Sequence, residues 1–229
     1  MEEHRLKVIA HIESDFPTKF GVPRQSGLVP ELRARVVFEP EFRNPDALRG
    51  IEGFSHLWLI WRFSETARED WSPTVRPPRL GGNARMGVFA TRSPFRPNPI
   101  GLSCVKLEAV EWEGADAPAL LVSGADLVDG TPIYDVKPYV PYADAHPDAR
   151  GGFAPAKGET ITVDFPPELL ARVPEERRAP RTGVLAQDPR PRYQDDAERV
   201  YGMAFGGLDV RFRVSNGVLT VVDVRRENR

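Results

Sequence analysis

The chain has 229 residues, a formal net charge of -2, 41% hydrophobic residues and one cysteine, Cys104. That apolar content supports a folded core and excludes wholesale disorder, while the near-neutral charge excludes a generally basic coat for nucleic acid. A lone cysteine excludes an internal disulfide framework and suits a reducing compartment. No leader-like or roughly 20-residue apolar run is visible, so the reading is a cytoplasmic protein with no membrane span.

Strand signals dominate the first two thirds. Residues 6–12, 33–38, 56–63, 86–91, 103–112, 119–124 and 133–139 are short β-branched or aromatic runs bounded by turn residues. HLWLIWRF is apolar nearly throughout, as expected of a strand covered on both faces, so Trp58 and Trp61 read as core residues. NPDALRG fits one short helix, with Asn44 as N-cap, Pro45 in the first position and Gly50 as stop. Many strands with little intervening helix predict a mainly β fold over 1–145, a closed β-barrel or a sandwich rather than a doubly wound sheet. ADAHPDARGGFAPAKG (143–158) reads as a connection. After it, 146–229 reads as a small C-terminal α+β module: a strand at 160–165, helices at 167–173 and 175–187, then strands at 199–205, 208–214 and 218–224. Asn216-Gly217 predicts a tight hairpin between the last two.

Common catalytic signatures are absent from the sequence. It contains no phosphate-binding P-loop, no dinucleotide-binding glycine pattern, no nucleophile elbow and no zinc-spaced Cys/His set, so no metal is expected. Residues 71–107 stand out instead. They contain no Asp or Glu, yet hold Arg76, Arg79, Arg85, Arg92, Arg96 and Lys106, with six prolines and four glycines. Arginine on a stiff backbone suits bidentate contact with phosphate or carboxylate and stacking on bases. A solvated loop pairing with acids elsewhere is the competing reading.

Three other segments offer chemistry. Pro23-Arg24-Gln25 sets a guanidinium and an amide on a fixed turn, which alone is uninformative and reads first as a solvated turn. In DLVDGTPIYDVKPY, Asp126, Leu127, Val128, Asp129, Gly130 and Thr131 form a turn. Asp135, Lys137 and Tyr139 then alternate onto one strand face, as a proton-handling set or as a structural ion pair beside a packed tyrosine. LAQDPRPRY places Arg190, Arg192 and Tyr193 between prolines, a pattern suited to an unpaired nucleotide or to a plain helix stop.

Taken together, VPRQSGL (22–28), GIEGFSHLWLI (50–60), WSPTVRPPRLGGNARMGVFATRSPFRPNPIG (71–101), DLVDGTPIYDVKPY (126–139) and LAQDPRPRY (185–193) resemble the TsaA-like, or TrmO, family over nearly the whole chain. The resemblance implies a homodimeric β-barrel methyltransferase that uses S-adenosylmethionine. Its substrate would be the N6 of the threonylcarbamoylated adenosine beside the anticodon of tRNA. It further implies cofactor contacts at Pro23, Arg24, Gln25, Arg92, Leu102 and 126–131. Where the family pattern has His-Gln after the third strand, this chain has Ser64-Glu65, placed by the resemblance at the cofactor.

An exocyclic amine is a poor nucleophile, so acceptors near it would favour transfer by taking up developing positive charge. Asp135 is the expected acceptor, with Lys137 and Tyr139 orienting it and Asn98 as a second candidate. Arg76, Arg79, Arg85, Arg96, Arg190, Arg192 and Tyr193 are the expected RNA contacts, the last three through a module that assists tRNA binding. A non-catalytic RNA-binding barrel is the alternative, and a methyltransferase for a small anionic substrate is a third reading.

Overall fold

The structure is a computed structural model, and it describes residues 4–65, 70–190 and 196–227. The N-terminal strands are β1 (Ala10–Glu13), β2 (Arg33–Phe38), β3 (His56–Arg62), the two-residue β4 (Thr74–Val75) and β5 (Met86–Gly87), β6 (Ile100–Glu111), β7 (Ala119–Ser123) and β8 (Pro132–Pro138). Helix α1 (Pro141–Asp144) follows, then β9 (Thr162–Asp164), α2 (Pro167–Leu170), α3 (Glu175–Ala186), β10 (Tyr201–Phe205), β11 (Leu208–Ser215) and β12 (Val218–Arg226).

Six strands close into a barrel in the order β1-β2-β7-β6-β3-β8, with β1 pairing β8 to complete the ring. Closure removes the free edges an open sheet would expose. β3 alternates rather than being covered on both faces. Leu57, Leu59 and Trp61 point into the barrel, while Trp58 and Ile60 lie half-covered on its outside. β3 pairs antiparallel on both sides, and an antiparallel sheet can pack one face on the core and leave the other toward solvent. Trp58 is held outside the core by a tilted ring contact with Tyr139, centroids 5.8 Å apart, and a 3.1 Å hydrogen bond to the Asp144 carboxylate.

The expected strand at 86–91 is only two residues long. Beyond Gly87 the chain turns into a 3-10 helix, Val88–Ala90, which buries Val88 and leaves Phe89 in solvent. A short 3-10 helix, Pro45–Leu48, replaces the expected helix near residue 44. Asn44 caps it through the Asp46 amide at 3.0 Å, and Gly50 leaves it at φ 86°.

The second unit is a sheet of order β10-β11-β12-β9, with β9 parallel to β12. Asn216 (φ 49°) and Gly217 (φ 75°) are both left-handed, which gives the hairpin between β11 and β12 the twist its strands require. α3 lies against this sheet and buries Arg181, Val184 and Leu185.

The loop between β1 and β2 crosses from one unit to the other. Phe16, Val29 and Leu32 belong to the core of the second sheet, beside Val184, Met203 and Phe205. Phe16 meets Phe205 edge-on at 5.0 Å. Gly21 is required where the loop passes Met203, because a Cβ there would lie 2.4 Å from the methionine sulfur at a φ of 92°. Arg177 pairs with Asp15 at 3.2 Å, and Gly206 donates its amide to the Asp15 carbonyl at 2.8 Å. Arg181 is wholly buried over the Phe205 ring, and that burial lowers its guanidinium to about 10.

Candidate cofactor site

The same crossing loop then turns back to the barrel. Ser26 accepts the Cys104 amide through its hydroxyl at 3.1 Å, and Gly27 donates to the Gly124 carbonyl at 2.8 Å. These two bonds present Pro23, Arg24 and Gln25 at the mouth of a cavity of about 450 Å³.

Four sequence segments converge on it. The crossing loop contributes Pro23, Arg24 and Gln25, and the end of β3 contributes Trp61, Ser64 and Glu65. From the carboxylate-free stretch come Thr91, Arg92, Arg96 and Leu102, and from the turn after β7 come Asp126, Leu127, Val128 and Thr131. Asp129 and Gly130 sit elsewhere. They border a second, shallower pocket beside His11 and Glu39, and the Asp129 carboxylate accepts the Ser14 amide at 2.9 Å. That bond, with the Ser14 hydroxyl on the Leu127 carbonyl at 2.9 Å, fixes the turn against β1.

The wall and the charge of the cavity are linked through one buried hydroxyl. Trp61 Nε1 donates to Ser103 Oγ at 2.9 Å, and Ser103 Oγ donates in turn to Asp126 Oδ1 at 2.5 Å. Gly101 makes room for the tryptophan, since a Cβ at 101 would fall 2.3 Å from the Trp61 ring. Burial pushes the Asp126 carboxyl up to about 6, and the Ser103 hydrogen bond and the Arg92 charge work against that rise. Opposite, Arg92 donates a hydrogen bond to the Gln25 side-chain carbonyl and keeps an exposed guanidinium. The cavity thus holds a half-buried carboxylate and an exposed guanidinium, and its lining adds the apolar side chains of Trp61, Phe63 and Leu102.

The cavity residues that the motifs alone did not place there include Lys19, Trp61, Phe63, Thr91 and Ile100. Gly101 carries a readable signal for Trp61: a glycine inside a strand marks a close approach of another group.

Asp135, Lys137, Tyr139 and Asn98 do not line this cavity. A bulge between Ile60 and Trp61 in the pairing of β3 with β8 turns Asp135 to the outside of the barrel. There its carboxylate pairs with Lys137 Nζ at 2.9 Å. Tyr139 packs on His56 and Trp58, and Asn98 is exposed in the loop before β6. Leu102, Ile60 and Asp135 nonetheless stand in one row across β6, β3 and β8. Two strand spacings put about 10 Å between the first and last.

Among the expected RNA contacts, Arg76 and Arg85 are exposed. Arg79 donates to the Ala156 carbonyl, tying the basic stretch to the connection between the two units. Arg96 donates to the Thr91 carbonyl at 2.7 Å. Arg190 turns back onto the Asp188 carboxylate at 2.9 and 3.0 Å. Arg192 and Tyr193 lie outside the described residues.

Residues 11–145 match the tRNA-methyltransferase O N-terminal domain, and residues 158–227 match the TrmO C-terminal domain. The chain belongs to the tRNA-methyltransferase O family. It is 44% identical over 225 residues to tRNA (adenine(37)-N6)-methyltransferase of Escherichia coli (strain K12), covering 94% of this chain and 95% of that protein. It is 50% identical over 169 residues to the protein of the same name from Eikenella corrodens, covering 73% of this chain and 95% of that one. The crystal structure of TrmO from Pseudomonas aeruginosa superposes with a TM-score of 0.80 at 36% identity, covering 97% of this chain and 98% of that one. Among the described residues, no helix is long and apolar enough to cross a membrane, and no group of three or more His, Cys, Asp or Glu could hold a metal ion.

Proposed function

We propose that this chain is an S-adenosylmethionine-dependent tRNA methyltransferase acting on the exocyclic N6 of the adenosine beside the anticodon, in its threonylcarbamoylated form. The observation that carries the reading is the pairing of opposite charges in one cavity, within a chain of the tRNA-methyltransferase O family. Asp126 is half-buried and lines the cavity, where it suits a cationic centre, and Arg92 suits a carboxylate. S-adenosylmethionine carries both groups, and when bound it supplies an electrophilic methyl on a sulfonium. Trp61, Phe63 and Leu102 offer the apolar surface its adenosine part needs. Pro23, Gln25, Ser64, Glu65 and Thr131 complete the lining.

The chain's own residues then have separate tasks. Arg24 and Arg92, with Gln25, hold and orient anionic groups at the mouth. Asp126 balances positive charge at the buried end. A target base lying over Leu102 and Ile60 would reach Asp135, whose carboxylate accepts hydrogen bonds from the amine as positive charge develops there. Lys137 holds that carboxylate in place, Tyr139 continues the same strand face, and Asn98 is the second acceptor candidate. Arg76, Arg79, Arg85 and Arg96 contact the tRNA backbone. Residues 146–229, including Arg190, Arg192 and Tyr193, assist tRNA binding as a separate module.

The working form in this reading is a cytoplasmic homodimer. The deciding experiment is mass spectrometry of tRNA nucleosides from cells lacking the gene, with and without the gene restored. N6-methylated threonylcarbamoyladenosine is expected to disappear and return. Unchanged methylation would sink the reading.

A further inference from the structure

Two large aromatic rings stand in solvent on the carboxylate-free stretch, outside the cavity. Trp71 is 49% exposed and Phe89 is 71% exposed, and their rings stack with centroids 6.2 Å apart at an interplanar angle of 24°. Local structure holds them there. The β4–β5 ladder pairs Thr74 with Gly87 and Val75 with Met86, which brings the two arms side by side. Ser72 donates its amide to the Phe95 carbonyl at 3.1 Å, and Val88 donates to the Pro73 carbonyl at 3.0 Å. Burial of Val88 in the 3-10 turn then forces its neighbour Phe89 outward.

The surroundings select the occupant. The Arg96 guanidinium lies 5.8 Å over the Phe89 ring and is fixed by the Thr91 carbonyl. Thr91 and Arg96 also line the cavity, so the aromatic pair adjoins the reaction site. No Asp or Glu occurs between residues 71 and 107 to repel a polyanion. Exposed rings beside a fixed guanidinium, on a stretch of chain without Asp or Glu, match what unpaired nucleotides require: a face for the base and positive charge for the phosphate.

We propose that Trp71 and Phe89 form a stacking platform for an unpaired anticodon-loop nucleotide flanking the adenosine that is modified. The proposal rests on the tRNA reading above. It adds a contact that is indifferent to base identity, because every base has a face to stack. The platform would hold the loop open beside the cavity while the arginines grip the backbone.

The test is fluorescence anisotropy with a labelled stem-loop RNA carrying adenosine 3′ of the anticodon. Wild type, Trp71→Ala, Phe89→Ala and Phe89→Tyr are compared across a salt series. Each alanine variant should bind roughly 5- to 150-fold more weakly, the range for losing one stacked base, while Phe89→Tyr stays near wild type. The slope of log Kd against log salt should not move, since no charge is removed. An abasic site at the stacked loop position should weaken wild type and leave the alanine variants unaffected. S-adenosylmethionine affinity by calorimetry and the sedimentation coefficient should stay at wild-type values. Stem-loop affinity within about twofold of wild type in both alanine variants would overturn the platform. So would a loss of RNA binding that comes only with a changed sedimentation coefficient, which would make the pair a contact between copies. If wild type bound neither the stem-loop nor S-adenosylmethionine, the methyltransferase reading itself would fall, and the platform with it.

Discussion

Ser103 Oγ stands between Trp61 Nε1 and Asp126 Oδ1, accepting at 2.9 Å and donating at 2.5 Å. A single buried hydroxyl therefore holds an aromatic wall in place and counters the desolvation that raises the carboxyl facing it. Ser103→Ala should cost about 1–3 kcal/mol of stability, because the buried indole N–H loses its partner. Thermal unfolding would show it. The same change removes a donor that favours the charged carboxylate, so the pH midpoint of cofactor binding should move above about 6.

The pH dependence of cofactor affinity follows from Asp126. Its carboxyl is raised from 3.8 to about 6, so the folded protein holds that proton more tightly than the unfolded chain does. Its contribution to stability is fully present below 3.8 and is lost as the pH rises through about 6. A cationic ligand needs the ionised form, so affinity should fall by up to about tenfold per unit below that midpoint. Calorimetry between pH 5 and 8 should give this profile for wild type and a flat, weak one for Asp126→Asn. A wild-type curve without an inflection near the midpoint would remove Asp126 from the cation site.

Gly101→Ala tests the cavity wall. The added Cβ would sit 2.3 Å from a ring that is packed in the barrel and hydrogen-bonded at its nitrogen. A loss of about 1–3 kcal/mol and weakened cofactor binding are expected together. Gly87→Ala is the matched control, with nothing within 4 Å of its Cβ and a φ of -57°. Its melting temperature should stay near that of wild type.

Arginine substitutions should separate by how free each side chain is. Arg76→Ala and Arg85→Ala remove exposed cations, and each should lower the magnitude of the tRNA salt slope by roughly 0.7–0.9. Arg190 is engaged by Asp188 and only 14% exposed at its side chain, so Arg190→Ala should change that slope less. Equal slopes for all variants would place the tRNA backbone elsewhere.

Local chemistry made much of the fold legible. The β2 run has the expected bounds, Asn44 caps as its position suggests, and Asn216-Gly217 builds its turn, because each depends on a few adjacent residues. Contacts between distant segments were not legible. Trp61 reads as plain core from its apolar strand, yet its ring also walls the cavity, because Gly101 opens space across the β3–β6 pair. Asp135, Lys137 and Tyr139 alternate as expected, but the bulge at Ile60/Trp61 that sets which way they face leaves no mark in the pattern. The exposure of Phe89 was likewise hidden, since VFAT reads as a strand until the turn at Gly87 ends it.

Phe16, Val29 and Leu32 give the loop carrying Pro23-Arg24-Gln25 a second anchorage, in the core beneath α3 and β10. A ligand held by that loop is thereby coupled to the folding of residues nearly 200 positions away in the chain. Phe16→Ala should cost about 3–5 kcal/mol and lower cofactor affinity, though Phe16 does not line the cavity. Conversely, saturating cofactor should slow amide hydrogen exchange in β10 and β11, because a ligand that binds only the native loop stabilises whatever the loop is packed into. The C-terminal unit would then serve as the hinge pin of the cofactor site, and trimming the chain to its barrel would release the clasp that closes it.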